Sequence, residues 1–292
     1  MKSCLCALDR RKAADPMENN LSDCLFKKFS QLVYEQCGIN LHEGKKTLLQ
    51  VRLNKRLRMT GIDSYEEYFE LITSTANCGE FIHFLDSIST NLTYFFRESQ
   101  HFDFLEQVAL PELIANKRKT GDSRIRIWSA GCSTGEEPYS LAMCVLGLLP
   151  APATWDFRIL ATDISTRALR AARCGVYSED KVEKVPMALR RVNFRKISNG
   201  NGRPAYEIAS HVKRIVTFQR LNLKGPYPFK GPFDFIFCRN VMIYFDKKTH
   251  EELINRMAGF LGPGGYFCVG HSESLTGLSH KLVYVRPAIY RN

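Results

Sequence analysis

The chain has 292 residues, of which 45% are hydrophobic and 24% are charged. These proportions are typical of a globular protein and exclude a disordered tail protein or a collagen-like repeat. Lysine and arginine number 41 against 30 aspartates and glutamates, which gives a net charge of +11. The length predicts one large domain and one small domain.

No stretch of the sequence predicts a membrane-spanning helix. The longest apolar run, residues 139–149, contains Ser140 and ends before Pro150. It is much shorter than the roughly 20 apolar residues that a bilayer requires. The first residues carry no apolar segment ahead of their charges, which argues against a signal peptide. We therefore expect a cytoplasmic protein that does not insert into a membrane.

The ten cysteines are scattered along the chain without a C-x-x-C pair, and the seven histidines do not cluster near them. This distribution disfavours a zinc site, and we expect no metal. Most of the cysteines lie in apolar stretches and are expected to be buried, reduced thiols.

Residues 21–90 are predicted to form a small all-α domain. A helix cap at Ser22 and a capping box that opens at Ser64 mark two of its helix starts. The predicted helices span residues 22–38, 45–59, 64 onward and 80–89. Residues 1–20 are expected to be a disordered extension, unless the chain properly starts at Met17.

The second predicted helix carries a basic face. Arg52, Lys55 and Arg56 are three or four residues apart, so they share one side of the helix. Such a face suits a polyanionic partner, either a nucleic acid or an acidic protein surface. A solvated face with no partner is the alternative.

After about residue 120 the pattern changes to strands that alternate with helices. Residues 91–120 are assigned to a linker and a first helix, and residues 121–292 to the second domain. Strands are predicted at 124–130, 157–163, 233–238 and 266–270, and helices from about 136, at 166–174 and at 247–261. This alternation predicts an α/β domain with a mostly parallel, Rossmann-like doubly wound sheet.

One part of this domain does not follow the alternation. Short strands are predicted at residues 192–197, 206–209 and 214–218, with a strong turn at 198–202. We expect a small antiparallel β-subdomain, inserted at about residues 190–218.

A glycine loop and an acid mark the predicted ligand site. Gly131 to Gly135 follows the first strand and Asp163 ends the second, where doubly wound sheets bind ligands. The glycines let the backbone approach a ligand and expose amides, and the Asp163 carboxylate suits two ribose hydroxyls. Glu136 and Glu137 follow the loop and would repel a pyrophosphate. The loop therefore favours a nucleoside without phosphates, such as S-adenosylmethionine (AdoMet).

Four longer strings make the chain resemble the CheR-type chemotaxis methyltransferases. They are TNLTYFFRE at 90–98, WSAGCSTGEEPYS at 128–140, FCRNVMIYF at 237–245 and GHSES at 270–274. The strings occur in the family's order, and the resemblance extends from about residue 21 to the C-terminus. The glycine loop departs from the usual G-x-G-x-G of AdoMet enzymes.

The resemblance implies a helical N-terminal domain followed by an AdoMet-dependent methyltransferase domain with a β-subdomain insertion. It implies methyl transfer to glutamate side chains in the cytoplasmic helices of transmembrane chemoreceptors. The products are a glutamate methyl ester and S-adenosylhomocysteine. The partner is then a receptor and not a nucleic acid, and we expect a monomer.

The resemblance also implies the roles of individual residues. Arg97 and Tyr244 lie near the methyl-transfer site, and the face with Arg52, Lys55 and Arg56 meets the acidic methylation region of the receptor. The implied cofactor contacts are Asn91, Thr93, Arg97, Glu137, Asp163, Asn222, Leu223, Arg239 and Asn240.

These roles agree with the chemistry of a carboxylate nucleophile. A glutamate has a pKa of about 4.3, so it is ionised at pH 7 and needs no general base. The guanidinium of Arg97 is suited to hold this carboxylate as a two-pronged fork. Tyr244 is suited to orient the carboxylate or the cofactor. Glu137 is suited to bind the cofactor's ammonium group.

Three other functions are weaker alternatives. An RNA or DNA methyltransferase lacks support because residues 239–242 stand where an adenine-methylating Asn-Pro-Pro-Tyr string would be, and Cys238 is not preceded by proline. An inactive receptor-binding or AdoMet-sensing module would be expected to lack Arg97, Asp163 or Tyr244. An NAD oxidoreductase would need G-x-G-x-x-G.

Overall fold

Helices make up the N-terminal part of the chain. The computed structural model describes residues 20–74, 78–198 and 202–292, so the extension predicted at 1–20 lies outside the described residues except for Asn20. The first four helices are α1 (Asp23–Cys37), α2 (Lys46–Thr60), α3 (Tyr65–Thr73) and α4 (Cys78–Ile88). Their apolar faces meet in one core that includes Phe29, Leu53, Tyr68 and Phe84.

The ends of these helices follow the predicted signals. Ser22 Oγ accepts a hydrogen bond from the amide of Leu25, and Ser64 Oγ accepts one from the amide of Glu67. α1 ends at Gly38, whose φ of 76° is the left-handed conformation that glycine adopts without strain. Local sequence chemistry therefore sets where these helices begin and end.

A helical run joins the two parts of the chain. α5 (Gln100–Phe104) continues through a π-helical turn (Leu105–Ala109) into α6 (Leu110–Thr120). The later helices are α7 (Glu136–Leu148), α8 (Thr166–Cys174), α9 (Glu179–Val182), α10 (Met187–Asn193), α11 (Ser210–Lys213) and α12 (Lys247–Ala258). None of the helices in the described ranges is long and apolar enough to cross a membrane.

A seven-stranded sheet forms the centre of the second part. The strands of the chain are β1 (Arg124–Ala130), β2 (Asp156–Asp163), β3 (Val176–Ser178), β4 (Phe194–Ser198), β5 (Pro204–Ile208), β6 (Val216–Arg220), β7 (Phe233–Cys238), β8 (Leu261–Val269), β9 (Val283–Arg286) and β10 (Ile289–Arg291). The large sheet has the order β6-β2-β1-β7-β8-β10-β9. Its first five strands are parallel, and β10 is antiparallel to both β8 and β9. The predicted α/β, doubly wound architecture is confirmed.

The small antiparallel sheet is formed by a different set of strands from the one predicted. Its order is β3-β5-β4, so Val176–Ser178 is its third strand. The stretch predicted at 214–218 instead forms β6, which pairs in parallel with β2 in the large sheet. Val216 and Phe218 are buried there. A strand pattern indicates which face is buried and does not say which neighbour it pairs with.

The C-terminal strands also differ from expectation. α12 ends at Ala258, three residues before the predicted helix end. β8 already begins at Leu261, so the glycines at 262–265 lie in this strand and do not terminate a helix. β9 and β10 were not predicted. β10 is three residues long, too short for an alternating pattern to be recognised.

The helical part is fixed to the sheet domain beside the carboxyl ends of the parallel strands. The Tyr34 hydroxyl donates to Asp246 Oδ2 at 2.7 Å, and the Thr166 hydroxyl donates to Asp86 Oδ2 at 2.6 Å. The main-chain amide of Asn40 donates to the carbonyl of Tyr244 at 2.8 Å. These contacts place α1 and α4 next to the edge at which a ligand is expected.

Candidate active site

The carboxyl ends of β1, β2, β7 and β8 lie side by side in the sheet, and each leads into a segment with polar groups. β1 is flanked by β2 and β7. From β1 the sheet is built outward in one direction through β2 and β6, and in the other direction through β7 and β8. This is the switch point at which doubly wound sheets bind ligands. The segments after these four strands form the site together with the linker at residues 89–99.

The loop after β1 needs glycine at its first position. Gly131 has a φ of 77°, and a Cβ added there would lie 2.2 Å from Val241 Cγ2. Its amide and that of Cys132 both donate to the carbonyl of Thr162, at 2.7 and 2.9 Å. These amides are satisfied inside the protein, contrary to the expectation that the glycines expose them. The loop backbone can thus lie close to a ligand, but it has few free amides with which to bind a phosphate.

Asp163, at the end of β2, organises this loop. Its two carboxylate oxygens accept hydrogen bonds from the amides of Ser133 and Ser165, both at 2.8 Å. Burial raises the pKa of Asp163, against the opposing effect of these hydrogen bonds. A carboxylate offers about four acceptor positions, so each oxygen keeps capacity for a hydroxyl donor.

Asn222 and Leu223 lie close to Asp163, because the amide of Leu221 donates to the carbonyl of Asp163 at 3.0 Å. Leu223 is buried. Asn222 Nδ2 donates to the carbonyl of Gln36 at the end of α1, at 2.6 Å. The helical part therefore holds this segment of the site.

Glu137 lies one residue inside α7. Its carboxylate accepts from the Ser129 hydroxyl at 2.7 Å and from Arg239 Nη1 at 3.0 Å. Burial raises the pKa of Glu137, and the charge of Arg239 acts in the opposite direction. The carboxylate is anchored on one side and retains capacity for another cationic donor.

Glu98 connects the linker to two other parts of the site, a role that the sequence did not predict. Its carboxylate accepts from Arg239 Nη2 at 3.0 Å, from Asn240 Nδ2 at 3.3 Å and from the amide of His271 at 3.2 Å. Burial acts to raise the pKa of Glu98. The charge of Arg239 and its hydrogen bond are the largest opposing effects, and the pKa lies below its usual value. Glu98 closes the TNLTYFFRE string, which was the available signal.

Glu273 has a similar role in the loop after β8. Its buried carboxylate accepts from the amides of Gly270 and Asn240, both at 2.7 Å, and from the amide of Ile243 at 3.2 Å. Asn240 has a φ of 59°, so this carboxylate stabilises a left-handed turn. Glu273 belongs to the GHSES string and was likewise not predicted as a site residue.

Arg97 and Tyr244 are half-buried residues at the rim of the site, and the charge of Arg97 acts on the Tyr244 hydroxyl. Burial raises the pKa of Tyr244, while a hydrogen bond with Thr90 and the nearby charge of Arg97 act against it. Arg97 Nη1 donates to the carbonyl of Leu92 at 2.9 Å, and its guanidinium lies 5.8 Å from the centre of the Tyr94 ring. Asn91 and Thr93 are half-buried in the same linker.

The predicted basic face of α2 is only partly free. Arg56 is 9% exposed, and its guanidinium contacts both oxygens of Glu80 at 2.7 Å. Arg52 Nη1 donates to the carbonyl of Ser87 at 2.6 Å, whereas Lys55 is exposed. Arg56 therefore packs inside the helical domain, where Glu80 on α4 occupies its guanidinium.

The lining of the site fits AdoMet. The carboxylates of Asp163 and Glu137 keep free acceptor positions of the kind that hydroxyl and ammonium groups need, and the amides of Gly131 and Cys132 are not available to a phosphate. Fold and site together define an AdoMet-dependent methyltransferase.

Comparison with known protein families supports the assignment as an AdoMet-dependent methyltransferase. Residues 25–89 match the family described as "CheR methyltransferase, all-alpha domain", and residues 91–289 match "CheR methyltransferase, SAM binding domain". The chain belongs to the CheR methyltransferase family, and its function is AdoMet-dependent methylation in chemotaxis.

Individual relatives are similar over most of their length. A probable chemotaxis protein methyltransferase of Rhizobium etli is 44% identical over 246 residues, which cover 84% of this chain and 91% of the relative. The chemotaxis protein methyltransferase of Borreliella burgdorferi is 39% identical, with 93% and 95% covered. That of Escherichia coli K12 is also 39% identical, with 92% and 91% covered.

Proposed function

We propose that this protein transfers a methyl group from AdoMet to glutamate side chains in the cytoplasmic domains of transmembrane chemoreceptors. The observation that carries the proposal is the half-buried Arg97, whose charge acts on the hydroxyl of Tyr244. Within the described ranges, only Nη1 of its guanidinium donates a hydrogen bond. The remaining donors form a fork that suits a substrate carboxylate.

The chemistry needs little beyond positioning. A glutamate carboxylate is an ionised nucleophile at neutral pH, and AdoMet supplies a methyl group on a positively charged sulfur that leaves as a neutral thioether. One carbon–oxygen bond forms, one carbon–sulfur bond breaks, and no proton moves. Arg97 and Tyr244 orient the carboxylate, and such alignment contributes several kcal/mol to lowering a barrier.

The cofactor is assigned to the residues around the strand ends. Asp163 accepts from the ribose hydroxyls and Glu137 from the ammonium group. Arg239 and Asn240 fix the shape of the site through Glu98 and Glu273. Other lining residues are Asn91, Thr93, Arg97, Asn222 and Leu223.

Receptor docking is assigned to the exposed basic residues of the helical domain. Lys55 is exposed on α2, as are Lys45 just before it and Arg58 near its end. These charges complement an acidic methylation region. We propose a cytoplasmic monomer that docks on receptors and does not act on nucleic acid.

The test uses the full chain with methyl-tritiated AdoMet and membranes that contain chemoreceptors. Carboxyl methyl esters release volatile methanol in alkali, whereas N-methyl groups do not. We expect alkali-labile counts on a receptor-sized band, and about a hundredfold fewer with Arg97→Ala. Alkali-stable counts, on protein or on added RNA, would contradict the glutamate assignment.

A further inference from the structure

Two histidines and one glutamate converge beside the AdoMet site. Glu98 ends the linker, His101 lies in α5 and His271 follows β8. One ligand atom from each lies within 4.8 Å of the other two. His101 Nδ1 is 3.6 Å from Glu98 Oε2, and the two imidazole centres are 5.0 Å apart. His271 is far from the other two in sequence, so spacing gave no indication of the cluster.

His101 is unusual in this cluster because its ring is buried without a hydrogen-bond partner. The residue is 1% exposed, and neither ring nitrogen makes a hydrogen bond within the described part of the chain. Buried polar groups are nearly always hydrogen-bonded, since burial without a partner is costly. An imidazole in this state is a candidate for a ligand that the chain itself does not provide.

The cluster is accessible to a small ion. A cavity of about 200 Å³ is lined by both histidines, with Asp103 and Arg286 also in its wall. The nearby charges balance, because Glu98 and Asp103 are acidic while Arg239 and Arg286 are basic. Electrostatics therefore does not exclude a cation from the cavity.

We propose that Glu98, His101 and His271 bind a divalent transition-metal ion of the zinc type. Two imidazoles and one carboxylate form a donor set that suits zinc and disfavours magnesium and calcium, which prefer oxygen. Zinc–ligand distances are about 2.0–2.2 Å, so the three atoms must draw closer on binding. His271 is exposed, and its side chain is free to make this movement.

The ion would compete with Arg239 for Glu98. Oε2 of Glu98 already accepts from Arg239 Nη2 at 3.0 Å, and Arg239 also anchors Glu137 at 3.0 Å. Metal binding at Glu98 therefore loosens the cofactor-binding side of the site and lowers AdoMet affinity. This second effect rests on the proposed function, whereas metal binding itself does not.

Equilibrium dialysis of the full chain against Zn²⁺ tests binding. His271→Ala changes an exposed ligand, His101→Gln changes the buried one, and His83→Ala changes an exposed histidine on α4 as a matched control. We expect both ligand variants to lose one equivalent, or at least about tenfold in affinity, and His83→Ala to behave as wild type. If wild type and all three variants bind Zn²⁺ equally, the ion is held elsewhere, for example by cysteines, and the proposed site is wrong. If His101→Gln unfolds, His271→Ala alone decides.

Calorimetric titration with AdoMet tests the competition. Zn²⁺ is expected to weaken AdoMet binding to the wild type several-fold and to leave His271→Ala unaffected. If Zn²⁺ binds but AdoMet affinity is unchanged in the wild type, the competition with Arg239 is wrong while the metal site stands. If AdoMet does not bind even without Zn²⁺, the failure belongs to the cofactor assignment.

Discussion

Arg239 and Glu98 form a nearly buried ion pair, with Nη2 and Oε2 3.0 Å apart, and the Arg239 side chain is only 1% exposed. The same guanidinium binds Glu137 on α7 at 3.0 Å. One arginine thus joins the linker, the first helix after the glycine loop and the turn after β7. This junction holds three segments of the candidate site together.

Arg97→Ala is expected to lower methyl transfer by about a hundredfold, because the substrate carboxylate loses its positioning fork. AdoMet binding should be retained at least in part. Initial rates with receptor membranes and calorimetric titration with AdoMet separate the two effects. Arg118→Ala, which removes an exposed arginine on α6, is the control and should match wild type. Full turnover by Arg97→Ala would refute the catalytic role of this residue.

Asp163→Ala is expected to weaken AdoMet binding by about 1–3 kcal/mol, the cost of unpaired hydrogen-bonding groups. The amides of Ser133 and Ser165 lose their acceptor as well, so the loop itself is loosened. Calorimetric titration measures the change. Asp156→Ala, at the opposite end of β2, is the matched control. Equal affinities for the two variants would remove Asp163 from the cofactor site.

Gly131→Ala is expected to destabilise the fold by about 2–5 kcal/mol, because a Cβ meets Val241 and the backbone has a positive φ. Chemical denaturation measures this loss. Adding Val241→Ala removes the side chain in the way, so the double variant should recover at least about 1 kcal/mol relative to additivity. Strict additivity of the two changes would show that the contact with Val241 is unimportant.

Arg56→Ala is expected to destabilise the helical domain by about 2–4 kcal/mol, since Glu80 loses its charged partner in a largely buried position and keeps only the Tyr68 hydroxyl. Lys55→Glu should change stability by less than about 0.5 kcal/mol and lower receptor methylation instead. Denaturation curves and methylation rates of both variants distinguish packing from docking. The reverse pattern would restore Arg56 as a docking residue.

Acidification is expected to weaken the contact between α1 and α12. Hydrogen bonds from Thr249 and Tyr34 lower the pKa of Asp246 below its usual 3.8. The stabilisation is therefore complete above that pH and is lost as the pH falls through the lowered pKa. Urea unfolding between pH 7 and pH 3 should show a shallower acid loss for Asp246→Asn than for wild type. Asp180→Asn, an exposed control, should match wild type, and identical acid limbs for all three would disprove the role of Asp246.

The elements that the sequence predicted well are those set by local chemistry. Ser22, Ser64 and Gly38 mark helix ends through contacts within a few residues, and Gly131 and Asp163 lie at the ends of strands whose pattern is clear. The errors about which surfaces pack together depend on distant partners. Arg56 lies on a basic face in sequence but is neutralised by Glu80 on another helix.

The same limit applies to the site. Glu98 and Glu273 were present in the strings that carried the family resemblance, yet their contacts with Arg239 and Asn240 arise only when the strand ends meet. Cross-sheet pairing was equally hidden, because the burial pattern of β6 is the same whichever strand lies beside it. Periodicity reports solvent exposure, and it carries no information on which surfaces face each other.

The bond from the Asn40 amide to the Tyr244 carbonyl joins the helical domain to the rim residue through main-chain atoms alone, beside a bridge between Ile39 and Phe245. Alanine substitution of Asn40 or Tyr244 leaves this main-chain link intact, so such variants would not reveal it. The link therefore needs no particular side chain at position 40, and only proline would break it because it has no amide hydrogen. This one link between the helical domain and Tyr244 is therefore encoded in the backbone path and is insensitive to most replacements at positions 40 and 244.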